Sequence, residues 1–267
     1  MPYFENDGCK FYFEMGGTGE PLLLLHGLAA DNASWLSVRA LLEKSFTLIM
    51  PDNRFSGRSK APANCKADMR TLAVDAKALL DHLGVKKAAV VGHSMGGMVA
   101  QEFALAFPDF TDALILESTS AAPIKRNEAL FDALGAALKK DGYTENFWRL
   151  MFPWLLSTTL YHERPDFAEL AIRAAAGYPY LPTPENFVRM AGMIAAHNCT
   201  DRLKEIKSRT LVLAGGKDLL IPAEEGRALA DGIPGARFAF AKDAGHVVHL
   251  ELPDVFTQAV TVFLTGK

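Results

Sequence analysis

The sequence predicts an α/β fold: a mainly parallel sheet of about eight strands with helices on both faces. Three observations lead there. Short apolar runs bounded by Gly or Pro recur between residues 10 and 241, and such runs suit strands buried on both faces. Helical patterns separate them, as crossovers between parallel strands require. With 267 residues, 49% apolar and 22% charged, the chain has the proportions of a large folded domain with a real core.

The elements follow in order. Lys10–Met15 alternates and is rich in aromatics, as an early strand would be. Pro21–His26 holds four consecutive leucines and stops at Gly27; Phe46–Met50 reads the same way and stops at Pro51. In Met69–Leu83 the residues Leu72, Ala76, Leu79, Leu80 and Leu83 share a helix face, and Gly84 is the stop. Lys87–Val91 is a strand closed by Gly92, Met95–Phe107 a helix ending before Pro108, and Thr111–Leu116 the next strand. After residue 200 the alternation resumes. Thr210–Ala214 is a strand, Ala223–Asp231 a helix opened by Pro222, Ala236–Ala241 a strand, and Pro253–Leu264 a helix with Pro in its first turn.

Between residues 120 and 200 the rhythm breaks. This stretch has helical patterns but no strand, and it holds Trp148 and Trp154 with Phe131, Phe147, Phe152 and Phe187. The expected organisation is a core of residues 1–119 and 201–267, with 120–200 as a helical lid inserted between two late strands.

The formal charge is −3 at pH 7 without a long basic run, so no nucleic-acid partner is expected. The most apolar stretches, Leu22–Leu25 and Trp148–Leu156, fall short of the ~20 residues of a membrane span, and the N-terminus has no targeting pattern. No membrane partner and a cytoplasmic location are the expectations, and nothing points to a homo-oligomer. Cys9, Cys65 and Cys199 are odd in number and widely spaced, which supports neither a disulfide framework nor a zinc site.

The chemistry-bearing signal is Gly92-His93-Ser94-Met95-Gly96-Gly97. A Gly-x-Ser-x-Gly pattern arises by chance about 0.1 times in a chain this long. What carries the reading is its setting, after a strand and at the start of a helix. A tight strand-to-helix turn exposes a hydroxyl while holding it rigidly, and the helix N-terminus favours negative charge developing beside it. Downstream stand Gly216-Lys217-Asp218 after a late strand and Gly245-His246 near the end.

With Leu25-His26-Gly27-Leu28 after an early strand, these motifs make the chain resemble the α/β-hydrolase superfamily over nearly its whole length. Within it the chain looks most like 3-oxoadipate enol-lactonase-like hydrolases and small carboxylesterases, on the elbow, Ala195-Ala196-His197, Asp201-Arg202-Leu203 and the tail from Leu211 to Glu251. The resemblance implies Ser94 as nucleophile, His246 as general base and Asp218 behind it, in the chain order this fold uses. It also implies an oxyanion hole from the backbone N–H groups of Leu28 and Met95. Glu117 and Asp243 are rival acids. His249, three residues after His246, suggests a metal pair, but no third ligand of suitable spacing accompanies it, so neither a metal nor a cofactor is expected. At Phe55 the similar family loop usually has Gly, a departure that bears on backbone shape.

The lid is apolar, and Trp148, Phe152 and Trp154 are its candidate substrate contacts. Arg54, Arg149 and Arg189 are the candidate forks for a carboxylate-bearing lactone. The leading expectation is a cofactor-independent hydrolase of a small, partly apolar ester or lactone, acting through an acyl-enzyme on Ser94. The alternatives are a C–C bond hydrolase and a slow-turnover small-molecule receptor of the same fold. Haloalkane dehalogenation is disfavoured because it wants Asp at the elbow. Peroxidase chemistry by a serine member needs only a bound carboxylic acid.

Overall fold

The computed structural model describes residues 2–266. Among these, eight strands form one sheet: β1 (Tyr3–Asn6), β2 (Cys9–Gly16), β3 (Glu20–Leu25), β4 (Phe46–Pro51), β5 (Ala88–His93), β6 (Thr111–Glu117), β7 (Arg209–Gly215) and β8 (Arg237–Ala241). Their spatial order is β1-β2-β4-β3-β5-β6-β7-β8. The pairs β1/β2 and β2/β4 are antiparallel and all the others parallel, so the expected sheet is the one observed.

Two local features differ from the sequence reading. β1 is an added strand, joined to β2 through Asp7 and Gly8, both at positive φ (49° and 69°). Asp-Gly is a hairpin signal of its own, but four flanking residues are too few for periodicity to register. β5 continues through Gly92 to His93, because the ladder to β6 persists as Gly92↔Leu116 and His93↔Glu117. Ser94 therefore follows the strand with no intervening residue.

The helices are α1 (Leu36–Leu42), α2 (Met69–His82), α3 (Met95–Ala106), α4 (Lys125–Asp141), α5 (Glu145–Leu155), α6 (Thr158–Glu163), α7 (Pro165–Ala176), α8 (Pro184–Ala196), α9 (Ala223–Gly232), α10 (Val248–Glu251) and α11 (Pro253–Thr265). Successive strand side chains point to opposite faces. Leu23 and Leu25 pack with residues of α2, α3 and α9, such as Leu79, Phe103 and Leu229. Leu22 and Leu24 pack on the other face with Trp35, with Val38 of α1 and with Phe256 of α11. Both faces are covered, so all four leucines of β3 are fully buried. Each such burial contributes roughly 1.5–3 kcal/mol.

Helices α4 to α8 lie between β6 and β7 and share with Leu220 and Ile221, just after β7, a core around Phe131, Leu138, Phe147, Ile172 and Phe187. α4 packs on α8, and α5 on α7. Ser94, Glu117, Asp218 and His246 all fall at or beyond the C-terminal ends of β5 to β8. That edge is where open α/β sheets place their ligands.

Candidate active site

Ser94 caps α3 with φ 55° and ψ −120°, a left-handed conformation costly for any residue with a Cβ. Several contacts hold it. The Ser94 N–H donates to the Glu117 carbonyl (2.9 Å), and Thr119 Oγ1 donates to the Ser94 carbonyl (2.8 Å). A Cβ at Gly92 would lie 2.3 Å from the Gly96 oxygen, and one at Gly96 would lie 2.0 Å from the Leu25 oxygen. Here glycine is required by close backbone approach rather than by φ.

His246 is buried at the end of the loop after β8. Its Nδ1 lies 2.9 Å from Asp218 Oδ2. A carboxylate only accepts, so Nδ1 carries the hydrogen and Nε2 the free lone pair. Asp218 Oδ1 accepts from the N–H groups of Leu220 (2.9 Å) and Ile221 (2.8 Å), which fixes the carboxylate's orientation. Ser94 and His246 line the same cavity. No hydrogen bond joins their side chains in this state; such contacts commonly tighten only with substrate bound.

The Met95 N–H, at the first position of α3, and the Leu28 N–H, in the turn after β3, donate to no acceptor among the described residues. Both residues line cavities that contain Ser94. The turn at Leu28 is shaped by Ala29, at φ 58°. His26 is a strut beneath it: Nδ1 donates to the Gly27 carbonyl (2.9 Å), and Nε2 accepts from the Asn53 N–H (3.0 Å).

The rival acids are engaged elsewhere. Glu117 is fully buried and accepts from His249, through its backbone N–H (2.9 Å) and its Nδ1 (2.9 Å). Asp243 is exposed and pairs with Lys217 at 3.4 Å. The His246–His249 pair has no third ligand of suitable sequence spacing, but His249 has other metal-ligating side chains beside it in space. His93, Glu117 and His249 bring their donor atoms within 4.8 Å of one another. Folding assembles this trio from β5, β6 and α10, so sequence spacing could not reveal it. Within it Glu117 holds His249 through Nδ1, and His93 Nε2 lies 3.1 Å from the His246 carbonyl. Burial, followed by the neighbouring His249 and His246, pushes the His93 pKa well below the ordinary imidazole range.

A family model described as the alpha/beta hydrolase fold matches residues 20–253. The chain belongs to that family. RutD of Variovorax paradoxus (strain S110), a protein named as a carbamate hydrolase, is 29% identical over 265 residues, with 95% of each chain covered. A thermophilic esterase from Thermogutta terrifontis is 31% identical with a TM-score of 0.86, covering 99% of this chain and 97% of that one. An enol-lactonase from Burkholderia xenovorans LB400 is 25% identical with a TM-score of 0.88, covering 99% and 100%. The chain is thus an α/β-fold hydrolase. Among its described residues no helix is long and apolar enough to cross a membrane.

In this α/β-hydrolase Ser94 stands where two cavities meet, with Phe131 and Leu220 also shared between them. The smaller, of about 140 Å³, is lined by Leu28, Phe147, Trp148, Met151, Phe187 and His246. The larger, of about 220 Å³, is lined by Met95, Met98, Ser120, Asn127, Glu128 and Asp132. Of the three candidate lid contacts, Trp148 lines the smaller cavity. Phe152 and Trp154 line neither. On α5 the residues Trp148, Met151 and Leu155 share the face toward Ser94, whereas Phe152 packs on Trp148 (5.4 Å between rings) and Trp154 lies under Arg126.

The candidate arginines are also placed elsewhere. Arg149 pairs with Glu169 and Glu145 at the surface. Arg189 donates to the Ala63 carbonyl. Arg54 is buried in a two-pronged bond to Asp75, with both contacts at 2.8 Å. The sequence reading passed over the α4 wall of Asn127, Glu128 and Asp132. Polar residues at the start of a helix carry no signal of facing a cavity.

Proposed function

We propose that this α/β-hydrolase cleaves a carboxylic ester or lactone of a small, partly apolar substrate through an acyl-enzyme on Ser94. The observation that carries this reading is the 2.9 Å Asp218–His246 hydrogen bond, with the imidazole lining the same cavity as a conformationally strained serine. With Nδ1 turned to Asp218, the neutral imidazole offers its Nε2 lone pair as a general base requires, in the cavity that Ser94 also lines.

In the first half-reaction Ser94 Oγ attacks the carbonyl carbon, and its proton passes to His246 Nε2. The Leu28 and Met95 N–H groups donate hydrogen bonds to the carbonyl oxygen as negative charge collects on it. The bond to the alcohol oxygen then breaks, and His246 returns the proton to that oxygen. In the second half, water adds to the acyl carbon while giving a proton to His246, which passes it to Ser94 Oγ as the acid leaves. Asp218 holds the tautomer and stabilises the imidazolium in both halves.

A fluorophosphonate probe tests the assignment. Labelling is expected on Ser94 and absent from Ser94→Ala, with turnover of p-nitrophenyl esters reduced on the order of 10⁴-fold or more. An adduct on another residue, or full activity in the variant, would overturn it. Carbamates belong in the same substrate panel, since their carbonyl would be attacked in the same way.

A further inference from the structure

The candidate oxyanion donor Leu28 sits in a segment with few supports of its own. Leu28, Ala29 and Ala30 all line the smaller cavity. Among the described residues their backbone groups take part in no hydrogen bond. Ala29 stands at φ 58°, a conformation that persists only where the surroundings impose it. Leu28 and Ala29 pack against the lid core, but apolar contact is non-directional and does not aim an N–H group. The aim comes from the anchors at the two ends of the segment.

At the near end the anchor is His26, whose Nε2 accepts from the Asn53 N–H. At the far end stand Asp31 and Asn32. The Asn32 N–H and Nδ2 both donate to Asp52 Oδ1, at 2.9 and 2.6 Å, so Asn32 is tied to the core. Asp31 is tied to the lid instead. Its Oδ1 accepts from the Ala33 N–H at 2.9 Å, a bond internal to the turn. Its Oδ2 accepts from the Tyr178 hydroxyl at 2.6 Å, across 147 residues of chain.

Tyr178 lies between α7 and α8. A separate contact seats the same stretch of lid. The Arg58 guanidinium lies over the Tyr180 ring, 4.1 Å from its centre, and the Arg58 N–H donates to Asp52 Oδ2 at 2.7 Å. Asp52 therefore joins Asn32 to Arg58, and Tyr178 and Tyr180 meet one hydrogen-bonded unit that begins three residues after Leu28. A short hydrogen bond fixes direction as well as distance, so the seating of Tyr178 is passed to the turn that carries Leu28.

Resting on the serine-hydrolase reading, we propose that Tyr178 is a positioning residue for the oxyanion hole. Acting through Asp31, its hydroxyl sets the turn that aims the Leu28 N–H at the carbonyl oxygen. The lid thus completes the oxyanion hole as well as roofing the cavity. When Tyr178 leaves Asp31 the Leu28 donor loses its aim, while Ser94 and the Met95 N–H, held at the start of α3, keep theirs.

The test is Tyr178→Phe, which removes the hydroxyl and keeps the ring. On p-nitrophenyl butyrate kcat is expected to fall about tenfold with KM within about twofold of wild type, a smaller loss than the roughly 10²–10³-fold of deleting an oxyanion donor outright. Affinity for an alkyl trifluoromethyl ketone should fall by the same factor. The ketone carbon takes up Ser94 Oγ and leaves an oxyanion in the hole, so it reports on the transition state. In an Asp31→Ala background Tyr178→Phe should change kcat by less than about twofold, because the path is already cut. Wild-type kcat and ketone affinity in Tyr178→Phe would overturn the proposal. So would a change confined to KM or to the unfolding midpoint, the mark of a contact that only holds the lid down, or an undiminished effect in the Asp31→Ala background. Failure of the underlying reading would look different. The ketone would not inhibit the wild-type enzyme, or Ser94→Ala would hydrolyse the butyrate ester as fast as wild type.

Discussion

The backbone N–H of His246 donates to the carbonyl of Leu155 at 2.8 Å, so the loop carrying the candidate base is bonded to the last turn of the helix that roofs its cavity. Glu251 strengthens the junction. Its carboxylate accepts from the Gly245 N–H (2.9 Å) and from the Ser157 N–H just after α5 (3.1 Å). The helices above the sheet and the base below them therefore share one set of hydrogen bonds. Glu251→Ala would leave two N–H groups unpaired at this junction. We expect a loss of about 2–4 kcal/mol and a kcat reduced at least severalfold, read by urea unfolding and ester turnover. Wild-type kcat in a fully folded variant would argue that the junction does not position His246.

Two buried carboxylates can be told apart as acids. Asp218 has one oxygen on two backbone N–H groups and the other on His246. In Asp218→Asn the amide would turn its NH₂ toward His246 and impose the wrong tautomer. A fall in kcat of about 10³–10⁴-fold is expected, with little change in KM. Glu117→Gln alters the partner of His249 instead and should lower kcat by no more than about tenfold. The opposite ranking would make Glu117 the working acid.

Phe55 carries a strain that a substitution pair can isolate. It is buried in the core cluster that includes Met190 and Met193, with Arg189 over its ring, but sits at φ 72°, the left-handed region that the usual family Gly would occupy freely. Phe55→Ala loses the packing and keeps the strain, while Phe55→Gly loses the packing and relieves the strain. Both variants should be destabilised, by roughly 3–5 kcal/mol for Ala, and Gly should be the more stable of the two by about 1 kcal/mol. Thermal or urea unfolding of the pair reads this directly. Equal or reversed stabilities would show that the ring's packing has removed the backbone cost.

Acid should weaken the fold through buried histidines. Burial pushes the His197 pKa down to about 4, with nearby Arg202 adding to the effect and Glu102 opposing it. Burial likewise keeps His93 neutral. In the unfolded chain both titrate near 6.5. As pH falls below that value the unfolded state takes up protons that the folded state refuses, so stability declines. His197 contributes until about pH 4, where the folded state also binds its proton. Each histidine adds a slope of about 1.4 kcal/mol per pH unit. Urea unfolding at several pH values between 7 and 4 should show the decline, and His197→Gln should reduce the slope by about one proton. An unchanged slope in that variant would contradict the assignment.

Most of the sheet, its main flanking helices and the order Ser94, Asp218, His246 were legible from the residues alone, because these are written in local patterns. Apolar runs of strand length, helical periodicity and a Gly-rich turn between them need only neighbouring residues to be recognised. The family match over residues 20–253 bears out the fold. Which polar groups meet is settled by the folded chain. Glu117 ends one parallel strand and Asp218 follows the next, yet the one faces His249 and the other His246. His93 joins His249 across 156 residues of chain, and Arg54 faces Asp75 instead of the cavity. On α5 the helical turn sends Trp148 toward Ser94 and Trp154 away from it. Composition marks the lid as apolar, but which side chain faces a substrate depends on rotation about helix axes and on contacts between strands far apart in sequence.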